Sequence, residues 1–332
     1  MQSSTFRHSH AAHCESGVMS SLLRHHGLEI SEPMAFGLGS ALVFVHLPWV
    51  KMGGVPLTAY RMLPGSIIKG LQKSLGVRME VRRYRSPEAS MQDLDRLLAE
   101  GAVVGMQSSV YWLPYFPPDM RFHFNAHNLI VYGKDGDEYL ISDPVFEHPQ
   151  RCRGEDLAKA RFVKGPFAPK GVVYFPRSVP KQVALEPAIV GAIKKTANRM
   201  IKAPIPFLGV RGIRLMANGV EQLPRKHSDL RYPRTFVGSI VRMQEEIGTG
   251  GAGFRFMFAS FLQEAADITG RSALAEASVL MTDAGDSWRE FALGAARLYK
   301  QQDAADFPRL ANLLRVCADK EERVYRMLLQ AV

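Results

Sequence analysis

The strongest constraint on the fold is a hairpin pattern in the middle of the chain. Two short segments, 128–132 and 138–142, have the composition of β-strands and flank an Asp-Gly dipeptide at 135–136, which is a strong turn signal. Loops of two to four residues place His127 opposite Asp143 or an immediate neighbour of it. The pattern therefore predicts an antiparallel hairpin that holds an imidazole beside a carboxylate.

Such a pair has a clear chemical use. A carboxylate can hold one imidazole nitrogen of His127 and leave the other nitrogen to take a proton from a nucleophile. Asp143 also has a purely structural interpretation, because Asp before Pro is ordinary turn chemistry at the end of a strand. The two interpretations are separated only by what lies near the imidazole.

Cys14 is the candidate nucleophile. It stands in the sequence H-C-E-S-G, directly before a run with helical spacing in which Ser16 is expected near the cap and Gly27 is expected to end the helix. A helix N-terminus favours the thiolate, which is the reactive form of cysteine. Burial as a small apolar residue is the commonest fate of such a cysteine and fits the local sequence equally well. The order of Cys14, His127 and Asp143 favours a Cys-His-Asp enzyme.

Further motifs extend this pattern over nearly the whole chain. The order of Cys14, His127 and Asp143, with the cysteine at a helix start, resembles papain-like cysteine enzymes, especially the C39-like branch. The further motifs give a closer resemblance over a longer span, to the butirosin biosynthesis protein H family. The resemblance rests on Glu32-Pro33, F-G-L-G at 36–39, Leu75-Gly76, Ser86-Pro87, 94–101, L-P-Y at 113–115, 123–127, and G-T-G-G-A-G-F-R at 248–255 with Phe258, Phe261-Leu262 and Trp288.

The resemblance implies an α+β fold, in which a papain-like (C39-like) cysteine-enzyme domain is followed by an all-α C-terminal domain. It also implies an acyltransferase that moves an acyl group from an acyl-carrier-protein thioester, through Cys14, to an amine, which is an aminoglycoside in the namesake. His127 then accepts the thiol proton and Asp143 orients His127. No cofactor is expected, because the phosphopantetheine arm arrives with the acyl-carrier substrate.

The pattern along the chain supports the same division. Strand and helix signals alternate up to 178–186, where the pattern changes, and we expect a catalytic domain at 1–180 and a helical domain at 181–332. The later part carries almost no strand signal. Its segments with helical apolar spacing are 186–201, 209–222, 234–247, 254–268, 272–300 and 307–330.

One position departs from the C39-like pattern. Enzymes of that branch usually carry a glutamine six residues before the cysteine as an oxyanion donor, and this chain has His8 there. His8, His13 and the backbone N–H of Cys14 are the candidate donors, and the choice among them stays open.

Four other residues are candidates for lining the substrate site. His123 and Asn125 precede His127 closely enough to share its cleft, or to pack there without a role. Glu15 is a candidate source of local acidity for a cationic amine, together with Asp119 and Glu147, although a solvated surface position is the ordinary fate of such residues. Arg255 ends the glycine-rich segment and is either an anion contact or part of a tight turn between helices.

Charge points to an acidic partner without naming it. The formal charge is +10, but the basic residues are scattered, so nucleic-acid binding is not favoured. An acidic acyl carrier protein, or acyl-CoA, is the expected acyl donor, and a small amine is the expected acceptor. Homo-oligomerisation stays open.

The location and the cofactor content follow from composition. There is no apolar run of transmembrane length and no signal-peptide core, so we expect a cytoplasmic protein. The three cysteines are widely separated and predict no disulfide framework. The histidines at 8, 10 and 13 together with Cys14 match no closed zinc motif, so no metal site is predicted.

Three other functions fit the same residues. A cysteine peptidase, amidase or thioesterase uses the same Cys-His-Asp set with water as the acceptor. An N-terminal-nucleophile amidase would be cut before Cys14, so that the new amine becomes the base. A carrier-docking module with an inactive site is the non-enzymatic alternative, disfavoured because all three residue types are present.

Overall fold

The computed structural model describes residues 6–300 and 306–332. Residues 1–5, part of the N-terminal segment in which no signal-peptide core was found, lie outside the described residues. The chain forms two compact units. The first comprises the residues up to Ala35 together with Ile67–Val183, and the second comprises Phe36–Ser66 together with the residues from Ala184 onward.

Strands and helices are distributed unevenly between the units. The strands are β1 (Leu42–Met52), β2 (Val55–Arg61), β3 (Arg78–Arg82), β4 (Val104–Ser108), β5 (His127–Asp135), β6 (Glu138–Ser142), β7 (Gln150–Arg153) and β8 (Val173–Ser178). The helices are α1 (Cys14–His25), α2 (Glu32–Leu38), α3 (Ser66–Leu75), α4 (Pro87–Ala99), α5 (Gly154–Phe162), α6 (Leu185–Ile201), α7 (Gly209–Lys226), α8 (Arg231–Val241), α9 (Arg255–Thr269), α10 (Ser272–Tyr299) and α11 (Phe307–Ala331).

The first unit, called the sheet unit below, is an α+β domain built on one sheet. Its strand order is β3-β8-β4-β5-β6-β7, and every neighbouring pair is antiparallel. Successive strand residues point to opposite faces. On β5, Leu129 and Val131 enter the apolar cluster that also contains Leu94 of α4, whereas Asn128 and Ile130 are buried outside that cluster. Helix α1 packs against β5, so the sheet is covered on both faces.

The second unit, called the helical unit below, combines the helices α6 to α11 with the hairpin of β1 and β2. Its core is aromatic: Phe44 of β1 and Tyr60 of β2 both contact Trp288 of α10, with ring centroids 5.7 and 5.6 Å apart. Phe254 stacks on Phe36 at 5.0 Å. The predicted helical segments are all present, with a π-helical turn at 242–246 continuing α8. The fold class, an α+β domain followed along the chain by a helical region, is confirmed.

The unit boundaries differ from the predicted ones at 36–66. We expected this segment in the catalytic domain, because strand and helix signals alternate along the chain up to 178–186. In the structure its apolar side chains are buried against helices more than 150 residues further along. Such non-local burial leaves no mark in the local spacing of the segment.

Candidate active site

Cys14 is the first residue of α1. His13 is the N-cap: its Nδ1 accepts the backbone N–H of Ser16 at 3.3 Å, and its own backbone is extended. Ser16 therefore lies one turn inside the helix and is not the cap. Gly27, with φ of +83°, follows the helix end as predicted. The sulfur thus lies in the first turn, where the helix dipole stabilises an anion.

A half-buried carboxylate holds the segment that leads into α1. Glu32 accepts the backbone N–H groups of Ala12 at 2.9 Å and of His13 at 2.7 Å, and the Ser16 hydroxyl at 3.1 Å. Burial raises the pKa of Glu32, and these three hydrogen bonds oppose that rise. The sequence analysis quoted Glu32 only as part of a motif, and its structural role is to fix the approach to Cys14.

The turn after β6 packs directly against the start of α1. Ala11 N–H donates to the carbonyl of Pro144 at 2.7 Å. Gly17 faces the same turn, and a Cβ at this position would come within 2.8 Å of Pro144 Cβ. Only glycine allows this approach, which brings the end of β6 and Asp143 close to Cys14.

The hairpin places His127 and Asp143 together. Asp135 pairs with Glu138 across a two-residue loop, and a bulge shifts the register before Ile130 pairs with Ser142. Nε2 of His127, the first residue of β5, is 2.7 Å from Oδ2 of Asp143. Both side chains are buried, at 5 % and 0 % exposed. The structure therefore has the imidazole and carboxylate adjacent, as the hairpin pattern predicted.

The protonation of His127 follows from these neighbours. Burial by itself would lower the pKa of His127, but the Asp143 carboxylate and the hydrogen-bonded Cys14 side chain outweigh burial and raise it to about 10. With Nε2 donating to Asp143, the nitrogen left to face the thiol is Nδ1. An imidazolium beside Cys14, together with the helix N-terminus, is the kind of surrounding that favours the thiolate form of a cysteine.

Tyr115 completes the surroundings of Asp143. Its hydroxyl donates to Oδ2 at 2.9 Å, and the backbone N–H of Val145 donates to Oδ1 at 3.3 Å. Burial, followed by the charge of Asp143, raises the pKa of Tyr115 well above its usual value, so the hydroxyl stays protonated. Tyr115 appeared in the sequence analysis only in the L-P-Y motif, and no spacing signal connected it with Asp143.

His8 and His13 differ in how their rings are used. The ring nitrogens of His8 contact the Ser142 hydroxyl at 2.7 Å and the backbone carbonyl of Phe146 at 3.0 Å, which gives no support to an oxyanion role for His8. His13 caps the helix through Nδ1 alone. His13 and the backbone N–H of Cys14 stay predictions as oxyanion donors.

The remaining candidates in the sheet unit have structural roles. Oε1 of Glu15 accepts the backbone N–H of Ile67 at 3.0 Å and therefore binds the first turn of α3. His123 is exposed and stacks on Tyr111, with ring centroids 4.2 Å apart. Asn125 is buried, and its amide nitrogen donates to the carbonyl of Pro166 at 3.0 Å. None of these contacts involves Cys14 or His127.

The interpretation of Arg255 as an anion contact is wrong. Its side chain is fully buried in the helical unit, with Nε 2.9 Å from Glu321 Oε1 and Nη1 donating to the carbonyl of Gly253 at 2.7 Å. The guanidinium is therefore bound by protein groups inside the core and is not exposed to an outside anion. Gly250, Gly251 and Gly253 have positive φ, so the segment forms the tight turn before α9 that was the alternative interpretation.

The three thiols differ sharply in their surroundings. Cys152 is buried, and burial together with Asp156 and Glu138 raises its pKa to about 12. Burial and Glu321 raise the pKa of Cys317 well above its usual value. Only Cys14 combines a helix N-terminus with a protonated imidazole. In the described ranges there is no group of three metal-ligating side chains, and no helix has the length and apolar character to span a membrane.

Comparison with known proteins supports the assignment made from motifs. Residues 13–144 match the model described as butirosin biosynthesis protein H, N-terminal, and residues 155–328, just over half of the chain, match a domain of unknown function, DUF4872. No curated protein matches the chain. A putative C39-like peptidase from Bacillus anthracis matches 53% of this chain and 97% of its own at 13% identity, with a TM-score of 0.37.

The two family matches lie in tandem, and the first begins at His13 and ends at Pro144, so that it encloses Cys14, His127 and Asp143. The second covers most of the helical region. The chain therefore belongs to the family in which a butirosin biosynthesis protein H N-terminal domain is followed by a DUF4872 domain.

Proposed function

We propose that this protein is a cysteine-dependent acyltransferase that moves an acyl group from a thioester to an amine through an acyl-enzyme on Cys14. The observation that carries the proposal is the buried chain of contacts from the Cys14 side chain to His127 and from His127 Nε2 to Asp143, 2.7 Å apart. The match to a family named for butirosin biosynthesis supports a biosynthetic role.

Acyl-enzyme formation uses the proton already held on His127. The thiolate of Cys14 attacks the thioester carbonyl, and a new carbon–sulfur bond forms as the bond to the donor thiol breaks. His127 gives its Nδ1 proton to the departing thiolate, and Asp143 holds the ring in the orientation that this transfer requires. The donor leaves as a neutral thiol, and the neutral imidazole stays beside the acyl-enzyme.

Acyl transfer then runs through the same groups. The amine attacks the acyl carbon, and the neutral imidazole of His127 takes the proton that the amine loses. A carbon–nitrogen bond forms, the carbon–sulfur bond to Cys14 breaks, and the thiolate–imidazolium pair is restored. The Tyr115 hydroxyl and the Val145 N–H keep both oxygens of Asp143 hydrogen-bonded during the cycle.

The acyl donor that fits the charge of the protein is an acidic carrier protein carrying the acyl group on a phosphopantetheine arm. A chain with formal charge +10 attracts an acidic partner and speeds encounter at low salt. Acyl-CoA carries the same arm and the same sign of charge. The acceptor is a small amine.

Hydrolysis is the nearest alternative outcome of the same chemistry. An N-terminal-nucleophile amidase has less support, because the segment before Cys14 is bound in place: Ala11 N–H donates to Pro144, and His13 caps α1. A cut before Cys14 would remove that cap. The His127–Asp143 pair would also have no use in an enzyme whose base is the new α-amine.

The test is denatured intact mass after brief incubation with a panel of short acyl thioesters and acyl carrier proteins. The wild-type protein should gain the mass of the acyl group, and Cys14→Ala should gain nothing. Cys152→Ala is the matched control, because Cys152 lies in the same unit but its raised pKa leaves its thiol protonated. It should acylate like wild type.

A second stage adds amines to the acylated protein. Loss of the adduct with formation of the amide supports acyl transfer, whereas release of the free acid alone assigns a thioesterase. No adduct and no thioester consumption across the panel contradict the proposal. A purified protein that begins at Cys14 would replace it with the amidase.

A further inference from the structure

Asn128 is the residue after His127 on β5, and it is fully buried. The sequence analysis treated it only as a strand residue. In the structure its Nδ2 is 3.8 Å from Cys14 Sγ, within range of a hydrogen bond to sulfur.

The orientation of the Asn128 amide is determined by its two other partners. Nδ2 donates to the backbone carbonyl of Ala126 at 3.1 Å, and that carbonyl can only accept. Oδ1 accepts the hydroxyl of Tyr174 at 2.8 Å. A flipped amide would place its oxygen against the Ala126 carbonyl, so the nitrogen must face both Ala126 and the sulfur.

Tyr174 is held in turn by the sheet. It lies on β8 opposite Gly105 of β4, where a Cβ would come within 2.4 Å of the Tyr174 ring. The absence of a side chain at Gly105 lets the ring lie across the strand towards Asn128. Burial, then the charges of Glu15 and Cys14, raise the pKa of Tyr174 well above its usual value, so its hydroxyl is the donor to Asn128.

We propose that Asn128 is a catalytic residue whose side-chain N–H donates to the sulfur of Cys14 and stabilises the thiolate. This inference rests on the proposed use of Cys14 as a nucleophile. The Asn128 amide is a third group that stabilises the thiolate, in addition to the helix N-terminus and the imidazolium of His127. A hydrogen bond to a charged group is stronger than one between neutral groups, and the Tyr174 hydroxyl prevents the amide from turning away.

The test measures the pH dependence of Cys14 alkylation by iodoacetamide, followed by intact mass, because alkylation requires only the thiolate. The informative variant is the double substitution Asn128→Leu/Tyr174→Phe. It removes the donor together with the hydroxyl that would lose its acceptor, but it also takes away the hydrogen bond to the buried Ala126 carbonyl. We expect the pH midpoint of alkylation to rise by about 1 to 2 pH units in a folded protein whose thermal midpoint is lower than that of wild type.

Two further variants make the result specific. Tyr174→Phe alone keeps the amide and should shift the midpoint in the same direction by less. Tyr139→Phe is the matched control, because it removes a hydroxyl of the same sheet that donates to Asp95 instead, at 2.6 Å, and it should leave the midpoint unchanged. Cys14→Ala supplies the background labelling of the other thiols.

The outcomes separate this inference from the proposed function. An alkylation midpoint that is the same in wild type and in the folded double variant overturns the inference, even if acylation becomes slower. If the double variant does not fold, an unshifted midpoint in Tyr174→Phe overturns it instead. A shifted midpoint in a protein that forms no acyl-enzyme supports the thiolate contact and contradicts acyl transfer.

Discussion

The two units bury similar ion pairs and use them differently. In the sheet unit His127 Nε2 is 2.7 Å from Asp143, and in the helical unit Arg255 Nε is 2.9 Å from Glu321. The cations differ in one respect that matters for chemistry. An imidazole can give its proton to a reacting group and take one back, whereas a guanidinium stays charged in proteins.

The other partners of the two pairs also differ in a way that matters for chemistry. Glu321 also accepts Trp288 Nε1–H at 2.6 Å and the Tyr325 hydroxyl at 3.1 Å, so its partners are all donors that hold it in the core. His127 instead has Cys14 as its second partner. Burial and ionic pairing therefore do not identify a reactive site. A transferable proton beside a nucleophile does, and the following changes test that distinction.

The largest expected effect is on reaction rate in Asp143→Asn. The amide has nearly the same shape but no charge, so it holds His127 in the wrong tautomer and no longer stabilises the imidazolium. We expect acyl-enzyme formation to slow by about 10³- to 10⁴-fold, as for loss of the aspartate charge in other triads. Time-resolved intact mass measures the rate. A rate within threefold of wild type would show that Asp143 only ends the strand.

Glu321→Gln should lower the stability of the protein and leave the reaction rate unchanged. It leaves the Arg255 guanidinium without its carboxylate in the core, and we expect a loss of about 3 to 5 kcal/mol in the free energy of unfolding. Acyl-enzyme formation per folded molecule should not change. Urea unfolding measures the first quantity. The double variant Arg255→Met/Glu321→Leu is the control: it removes the unpaired charge but also the acceptor of Trp288 Nε1–H and of the Tyr325 hydroxyl, so it should recover only part of the stability.

Local signals predicted the parts of the fold that depend on neighbouring residues. Ser86 caps α4 by accepting Ala89 N–H at 3.2 Å, with Pro87 at the first helical position, and both residue types are preferred at these positions. The hairpin from β5 to β6 likewise follows from its turn dipeptide and strand composition. These elements form from residues a few positions apart, and the sequence contains that information directly.

Contacts between distant residues could not be predicted in the same way. The hairpin of β1 and β2 packs with Trp288, and Arg255 pairs with Glu321, which is 66 residues away. The same limit applies within the candidate site. The His127–Asp143 contact was predictable from hairpin register, but Tyr115 and Asn128 reach the site through the tertiary fold.

Each unit has one histidine that should make stability depend on pH, and the two dependences have opposite signs. His127 has its pKa raised from 6.5 to about 10, so its contribution is complete below pH 6.5 and is lost as pH rises towards 10. Burial, then Lys51, lowers the pKa of His46 to about 4, so its contribution is present above pH 6.5 and is lost as pH falls towards 4.

Unfolding free energies should therefore be measured in the Cys14→Ala background, which removes the titration of the thiol. The Asp143 carboxylate still raises the pKa of His127 there. In that background the free energy of unfolding should decline above pH 6.5 by at most about 1.4 kcal/mol per pH unit, and adding His127→Gln should remove this decline. Adding His46→Gln should instead flatten the acid side between pH 6.5 and 4. Unchanged slopes would contradict these protonation states.

The smallest expected effect separates the role of Tyr115 from that of an ordinary buried tyrosine. Tyr115→Phe removes one hydrogen bond to the Asp143 carboxylate, and Tyr139→Phe removes one to Asp95. Each should cost about 0.5 to 1.5 kcal/mol of stability.

Only Tyr115→Phe should also slow acyl-enzyme formation, by roughly 3- to 10-fold, because it loosens the carboxylate that orients His127. Loss of the hydroxyl also makes Asp143 a better proton acceptor, which should raise the pH at which His127 loses its proton. If Tyr115→Phe lowers stability but leaves the rate and the pH profile unchanged, Tyr115 does not assist the reaction. Its role would then be like that of Trp288 and Tyr325 in the helical unit, which donate hydrogen bonds to a buried charge.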